Sequence, residues 1–233
     1  MLHIHSGEAA AEVHRRASSA DRLLVWKDSP AVGPWNGDRA ICRRLRSAWW
    51  GVPEAGIQGP EALEAHLGEE AWALWFGPDP WEQMALVQIL ALAAHAKSRP
   101  VLYLVPLDRS VARMDPDDLA PALARRQVVG PEVLMAAASL WQRFLTRDWA
   151  GLVQHGQGIA ALPYLSHALA RLAEDHPPSG PGRTERQVRG LMAEGIRELG
   201  EIMSALRGME EPRHGAWYGD AVVRKLMGAP PPG

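Results

Sequence analysis

The chain has 233 residues, a formal net charge of −2 and 47% hydrophobic residues. This composition supplies a core for one large domain or two modest ones and excludes wholesale disorder. The charges are spread evenly along the chain, so it lacks the basic excess typical of dedicated nucleic-acid-binding proteins. Cys42 is the only cysteine, which excludes an intrachain disulfide and a thiolate metal cluster within one chain.

The first twelve residues lack the basic and long apolar regions of a signal peptide. The longest apolar run, residues 84–96, is interrupted by Gln88 and His95 and is too short to cross a bilayer. We therefore expect a cytoplasmic protein that makes no membrane contact.

The N-terminus predicts a strand over residues 2–5, a turn at Ser6, Gly7 and Glu8, and a helix over residues 9–17. A strand, a glycine turn and a helix open many nucleotide-binding units, because free amides at a helix N-terminus favour anions. The turn has one glycine instead of a Gly-x-Gly-x-x-Gly set, so the dinucleotide interpretation is weak. His3 and His5 share one strand face, but packing is favoured over a metal pair without a third ligand nearby, and no metal site is predicted.

The second predicted strand, residues 22–27, ends at Asp28 and enters a Pro/Gly loop that contains Gly33. A carboxylate at such a strand end either contacts a polar ligand or caps its own turn. Residues 38–50 predict a helix with an arginine-rich face. Its arginines are Arg39, Arg43, Arg44 and Arg46. A solvated face is favoured there over a phosphate site, because the chain as a whole is near neutral.

The central stretch begins with an apolar run over residues 71–76, which predicts a strand buried on both faces. Gly77-Pro78 stops the strand, and the apolar spacing becomes helical from Pro80 onward. Asp79 and Glu82 fit an Asp-Pro-x-Glu helix start, and capping alone explains Asp79. Alternatively, Asp79, Trp81, Glu82 and Gln83 also line a crevice beyond the strand ends.

A fourth strand over residues 100–105 is predicted, ending near Asp108 and Arg109. Four strands that alternate with helices predict an α/β fold, with a Rossmann-like parallel sheet of about four strands in residues 1–114. Residues 115–233 predict an all-α domain, with helices over residues 131–147 and 162–174. A short helix over residues 60–67 is also expected.

The end of the chain predicts a helix-turn-helix-like or winged-helix-like three-helix unit over residues 183–228. A Thr-x-x-Gln capping box at Thr184 predicts a helix to Ala193, and helices over 196–206 and 221–227 follow. From Arg183 onward there are 8 basic and 7 acidic residues, a balance that does not favour DNA. The tail, residues 229–233, is expected to fray.

If the sheet forms, the loops after its strands converge on one edge and predict a ligand-binding site. The predicted site residues are Ser6, Gly7, Glu8, Asp28, Gly33, Trp75, Asp79, Trp81 and Gln83. The chain has 10 tryptophans, and Trp26, Trp75 or Trp81 could supply an apolar wall. No histidine, serine or cysteine nucleophile arrangement is visible, so neither catalytic residues nor a cofactor is assigned.

Three segments in order resemble an uncharacterised bacterial family, domain of unknown function eighteen thirty-five. They are LHIHSGEAAAE, LLVWKDSPAVGP and ALWFGPDPWEQMALVQILA. The later segments LPYLSHALARLAEDHP and RTERQVRGLMAEG are similar to the helical half of that family. The resemblance covers nearly the whole chain. It implies an N-terminal α/β domain with a helical C-terminal half, and no established activity.

The chain departs from the family pattern at several turn positions. Glu8 stands where relatives have Asp, Ala9 where they have Ser, Ala31-Val32 where they have His-Glu, and Pro78 near a frequent His. If those histidines are acids or bases in relatives, this chain lacks them. A binding role through Asp28, Asp79 and Gln83 is less affected.

Two classes of function remain open. The first is the binding of a small polar or nucleotide-like ligand at the carboxyl edge of the sheet, with or without catalysis. The alternative is a regulatory or assembly protein whose helical half contacts a protein partner or a second copy of the chain. DNA binding is the least favoured, because of the charge balance.

Overall fold

The computed structural model describes residues 1–212, 214 and 217–228. Its N-terminal part is one five-stranded sheet in the order β2-β1-β3-β4-β5. The strands are β1 (Leu2–Ser6), β2 (Arg22–Trp26), β3 (Ala71–Trp75), β4 (Val101–Leu104) and β5 (Gln127–Val128). The first four pair in parallel, and β5 pairs antiparallel with β4.

Eleven α-helices are present in the described residues, besides three short 3-10 helices. In and around the sheet they are α1 (Glu8–Ala17), α2 (Arg39–Trp50), α3 (Glu61–Glu64), α4 (Pro80–His95) and α5 (Leu119–Ala124). In the C-terminal half they are α6 (Pro131–Leu145), α7 (Trp149–Gly156), α8 (Leu165–Ala173), α9 (Arg183–Ala193), α10 (Leu199–Met209) and α11 (Asp220–Gly228). The fold is therefore α/β, with a helical C-terminal half as the sequence predicts.

Strand order reverses between β1 and β3, because β2 lies on one side of β1 while β3 and β4 lie on the other. Side chains alternate along β1: Leu2 and Ile4 join the main core with α4, and His3 and His5 face α1. β3 alternates in register, with Ile4 opposite Leu74 and His5 opposite Trp75. Helices thus cover both faces of the sheet, and the reversal leaves a crevice where the ends of β1 and β3 separate.

The α4 helix lies at the centre of the molecule and is buried on nearly all sides. The Asp79 side chain accepts the Glu82 backbone N–H at 2.8 Å, and Pro80 occupies the first turn. One face of α4 packs on the sheet, and the other packs on α6 and α8. A helix in contact with both halves must be apolar all round, which explains its continuous hydrophobic sequence.

Several elements differ from the sequence prediction. The β5 strand was not predicted, because two residues are too few to show an alternating pattern. The predicted Thr184 capping box is wrong. The α9 helix begins at Arg183 after Gly182, and the Thr184 hydroxyl instead donates to Asp175 at 2.8 Å. An Asp-Pro helix start is predicted at Asp115, and there Asp115 caps a 3-10 turn over residues 116–118 that leads directly into α5. The short α7 helix was not predicted.

At the C-terminal end, α9, α10 and α11 pack against one another as a three-helix unit. The predicted fraying tail lies outside the described residues. Within the described part of the chain, no helix is both long and apolar enough to cross a membrane.

Candidate functional site

A crevice of about 980 Å³ opens where strand order reverses, beyond the carboxyl ends of β1 and β3. Ser6 and Gly7 line it from the end of β1, and Asp79, Trp81 and Glu82 line it from the start of α4. Ligands of open α/β sheets bind at this position, since two loops diverge there and leave room between them.

Two buried carboxyl groups, Asp79 and Glu82, form the polar floor of the crevice. Their exposed fractions are 6% and 5%. Besides the Asp79 capping bond, the Gly77 backbone N–H donates to Glu82 Oε2. The α4 geometry fixes the pair, because residues three apart on a helix lie on one face.

Burial raises the pKa of the Asp79 carboxyl well above its usual range, and the neighbouring Glu82 charge raises it further. Burial also raises the pKa of Glu82, while the Ser110 side chain, the Gly77 amide and the charge of Arg113 oppose that rise. Removing two adjacent carboxylates from water disfavours ionising both. The pair therefore holds a proton to a higher pH than exposed carboxyl groups do, which is the property required of a general acid or base.

Two glycines shape the backbone around the carboxyl pair. Gly7 has φ of 82°, which side chains other than glycine rarely adopt, and its N–H donates to Trp26 O at 2.9 Å. Gly77 has no space for a side chain, since a Cβ there would lie 2.8 Å from the Ser110 backbone nitrogen. Gly77 thus allows the loop after β4 to close over the start of α4.

The helical half supplies the opposite wall of the crevice through Arg207, Glu210 and Trp217. Glu210 is buried and already paired, because its carboxylate accepts the Arg171 guanidinium at 2.5–2.9 Å. The side chains of Arg113 and Arg207 are exposed, and within the described ranges neither makes a hydrogen bond or an ion pair. The crevice thus combines a buried acid pair with two cationic side chains at its rim.

Four predicted site residues meet at the crevice: Ser6, Gly7, Asp79 and Trp81. Gln83 lies just behind it, and its Nε2 donates to Gly77 O at 2.6 Å. The Trp81 indole contacts that of Trp50 with ring centres 6.3 Å apart, which forms an aromatic side wall.

Glu8 and Gly33 lie outside the crevice. The Glu8 carboxylate is exposed and pairs with Arg15 and Lys27, and those two cations lower its pKa. Gly33 packs under the Trp49 ring, which lies 2.9 Å from where a Cβ would be, and its φ is 76°.

Asp28 lies outside the crevice as well, within a buried ion pair. The Arg46 guanidinium donates to both Asp28 oxygens, with Nε to Oδ2 at 2.5 Å, and to the Val32 carbonyl at 2.8 Å. Burial raises the pKa of Asp28, and the Arg46 charge opposes the rise. The Asp28 oxygens and the Arg46 guanidinium are thus hydrogen-bonded within the protein, so the pair anchors α2 to the loop after β2.

Trp75 is buried on the opposite face of β3, among the imidazole rings of His3, His5 and His14. Its indole N–H donates to His3 Nδ1 at 3.0 Å, so the His3 proton lies on Nε2. His14 Nε2 donates to Asp21 at 3.0 Å, so His14 Nδ1 accepts from His5 Nε2 at 2.9 Å.

Ligand atoms of His3, His14 and Asp21 lie within 4.8 Å of one another, a spacing open to a metal ion. Without a metal, the hydrogen-bond directions place a proton on Nε2 of both histidines, and a metal bound there would have to release those protons. The group is therefore a hydrogen-bonded packing cluster beneath α1.

Sequence analysis missed the crevice residues that come from distant segments, namely Trp50, Ser110, Ala112, Arg113, Arg207, Glu210 and Trp217. Ser110 and Arg113 lie in the loop after β4. Asp79 was predicted because ligands bind beyond the carboxyl ends of parallel strands, and the same reasoning applies to this loop. The residues of the helical half carry no comparable local pattern, since only tertiary packing brings them to the sheet edge.

Comparison with known proteins gave no relative: no family model, curated protein or solved structure matches the chain.

Proposed function

We propose that the protein binds a small polar, nucleotide-like ligand in the crevice between the ends of β1 and β3. The observation that carries the proposal is the buried Asp79–Glu82 pair at the point where strand order reverses. Buried carboxyl groups are costly unless a cation pairs with them, as Arg46 does with Asp28, and neither Asp79 nor Glu82 has such an ion pair among the described residues. Buried, perturbed carboxyl groups in a cleft favour a functional site.

The surroundings of the pair favour a ligand with a flat ring and an anionic group. Trp50, Trp81 and Trp217 provide aromatic surfaces, and the rim arginines Arg113 and Arg207 provide positive charge. Aromatic walls with a few convergent polar groups are typical of small-molecule sites. The carboxyl pair would accept ring N–H or hydroxyl groups of the ligand, and either carboxyl could serve as an acid or base if the ligand reacts.

A thermal-shift screen of nucleotides, sugars and phosphates tests the proposal on wild type, Asp79→Asn and Glu82→Gln. Asparagine is also a good N-cap, so Asp79→Asn removes the charge while preserving the helix start. Asp38→Asn is the matched control, because Asp38 caps α2 by accepting the Ile41 N–H at 2.9 Å and lies outside the crevice.

A ligand present at 100 times its Kd should stabilise wild type and Asp38→Asn by about 2.7 kcal/mol, which raises Tm by about 5–10 °C. The shift should be lost or strongly reduced in the two crevice variants. A ligand whose stabilisation persists in the Asp79→Asn/Glu82→Gln double variant would place binding elsewhere. Absence of any shift across the panel would count against the ligand class.

A protein-binding role for the helical half is the second candidate, and one surface favours it. A groove of about 990 Å³ has proline and aromatic walls, and its Trp149 and His176 rings stack in parallel at 4.0 Å. Light scattering over a range of protein concentrations tests self-association through this groove, with Trp149→Ala as the variant that should weaken it.

Membership of the family domain of unknown function eighteen thirty-five also remains a proposal. It rests on the three ordered motifs at residues 2–12, 23–34 and 73–91. In this chain Ala31 and Val32, at the family's His-Glu positions, are buried core residues. A crevice function for this protein would therefore depend on Asp79 and Glu82 and not on those positions.

A further inference from the structure

A second, smaller cavity of about 120 Å³ lies between α2, residues 57–60, α4 and α6. Trp35, Cys42, Gln88 and Trp141 contribute to its lining. It shares no lining residue with the crevice, so the two are separate sites, whereas Trp35 and Leu145 also line the groove that contains Trp149.

The Gln88 side chain is the unusual feature of this cavity. It projects from the buried α4 helix and is 3% exposed, and its Oε1 has no hydrogen-bond partner. Its Nε2 makes no hydrogen bond to a described residue, but only Oε1 is among the fully buried atoms that lack a partner. Trp35, which also lines the cavity, has a buried Nε1 that likewise has no partner within the described ranges. A buried carbonyl oxygen without a partner costs about 1–3 kcal/mol, and native proteins rarely retain one without a reason.

The charged residues around the cavity are all paired. The Asp28–Arg46 pair is complete, and the guanidinium also lies over the Trp35 ring at 4.5 Å. At the mouth, Arg39 pairs with Glu64 and Arg43 pairs with Glu61, and these pairs join α2 to α3. Burial raises the pKa of Cys42, which keeps its thiol neutral. A charged ligand would lose hydration without gaining a counter-charge, so the cavity favours a neutral one.

We propose that this cavity binds a small neutral molecule with a carbonyl next to an N–H group, such as the edge of a carboxamide, a urea or a lactam. Gln88 offers one acceptor and one amide donor side by side, and a second amide edge satisfies both at once. The Trp35 indole N–H adds a further donor in the lining. The volume equals that of about four water molecules, which limits the ligand to about four to six non-hydrogen atoms.

The test uses the full chain labelled with nitrogen-15, observed through the Gln88 side-chain amide and the Trp35 indole N–H. Acetamide and acetone form one probe pair of equal size, and 2-imidazolidinone and cyclopentanone form a larger pair. Only the first member of each pair carries N–H donors. We expect saturable shifts of both signals with the N–H probes and at least tenfold weaker binding of the ketones.

The variant Gln88→Leu should lose the selectivity for N–H probes, whereas Gln142→Leu, on the exposed surface of α6, should retain it. If Gln88→Leu does not fold, Gln88→Met serves in its place. The comparison of N–H probes with ketones in wild type tests the proposal without any variant. Equal binding of acetamide and acetone, or linear shifts that never saturate, would overturn the proposal and leave the cavity as a site for ordered water only. Selective binding that persists without the Gln88 amide would overturn it as well.

Discussion

The histidine cluster beneath α1 should make the stability of the fold depend on pH. Burial lowers the pKa of His3 from 6.5 to about 4, and the nearby His14 and N-terminal charges act in the same direction, opposed by Asp21. Burial also lowers the pKa of His5 well below 6.5, with His14, His3 and Arg15 adding to the effect. Both rings are therefore neutral in the fold at pH values where the unfolded chain takes up protons.

The direction in which stability changes with pH depends on whether the folded or the unfolded state binds more protons. Below pH 6.5 the unfolded chain protonates His3 while the folded chain does not, so the free energy of unfolding falls as pH falls. The loss continues until pH reaches the folded pKa of about 4. A pKa difference of about 2.5 corresponds to at most about 3 kcal/mol for His3 alone.

Urea denaturation at several pH values between 7 and 4 measures this loss in wild type and in His3→Asn. Asparagine keeps a carbonyl acceptor for the Trp75 indole N–H but does not titrate. Between pH 7 and pH 4, the free energy of unfolding should decrease by about 2–3 kcal/mol less in the variant than in wild type. His167→Asn, at an exposed histidine of α8, should follow the wild-type pH dependence. Parallel curves for wild type and His3→Asn would refute the idea that His3 is held neutral.

Three further substitutions test the ion pair and the crevice floor. Arg46→Met leaves the buried Asp28 carboxylate unpaired and should lower the free energy of unfolding by about 3–5 kcal/mol in urea denaturation at pH 7. The double variant Arg46→Met/Asp28→Asn should recover part of this loss. An effect of Arg46→Met below about 1 kcal/mol would contradict the pairing. Gly77→Ala forces a Cβ against the Ser110 backbone and should cost about 1–3 kcal/mol by the same assay. Glu82→Gln keeps an acceptor for the Gly77 N–H but removes a buried charge. The Tm of this variant should exceed that of wild type at pH 7–8. The difference should disappear at lower pH, where Glu82 is protonated in wild type. A variant less stable than wild type at pH 8 would contradict the raised pKa of Glu82.

The parallel sheet was predictable because its strands are continuous apolar runs with clear stops. Predicted and observed limits of β1 to β4 agree to within about one residue at each end, as expected for local patterns. The Asp79 helix start was equally visible, since the residues that specify a cap are adjacent in sequence. The capping box at Thr184 failed because a tertiary partner, Asp175, takes its hydroxyl.

The Asp28–Arg46 pair shows why the site could be predicted only in part. Four arginines on α2 satisfy the same sequence pattern, yet only Arg46 is buried, while Arg39 and Arg44 are exposed. Arg46 is the buried arginine because it lies on the same helix face as Cys42, which is one turn earlier and is also buried. A sequence pattern predicts that Asp28 ends a strand, but the identity of its partner depends on how α2 packs against the loop after β2.

The far wall of the crevice depends on a buried network that no local pattern predicts. Arg171 on α8 contacts Glu210, Thr184 and Asp175, so one guanidinium ties together α8, the start of α9 and the segment after α10. Because Glu210 borders the crevice, a break in this network would leave a buried carboxylate unpaired and would displace that wall. The crevice is therefore a joint product of both halves: the sheet edge fixes the acid pair, and the helical network fixes the surface opposite. A ligand that touches both walls would bind only when the two halves are packed together, and it would stabilise their contact by mass action.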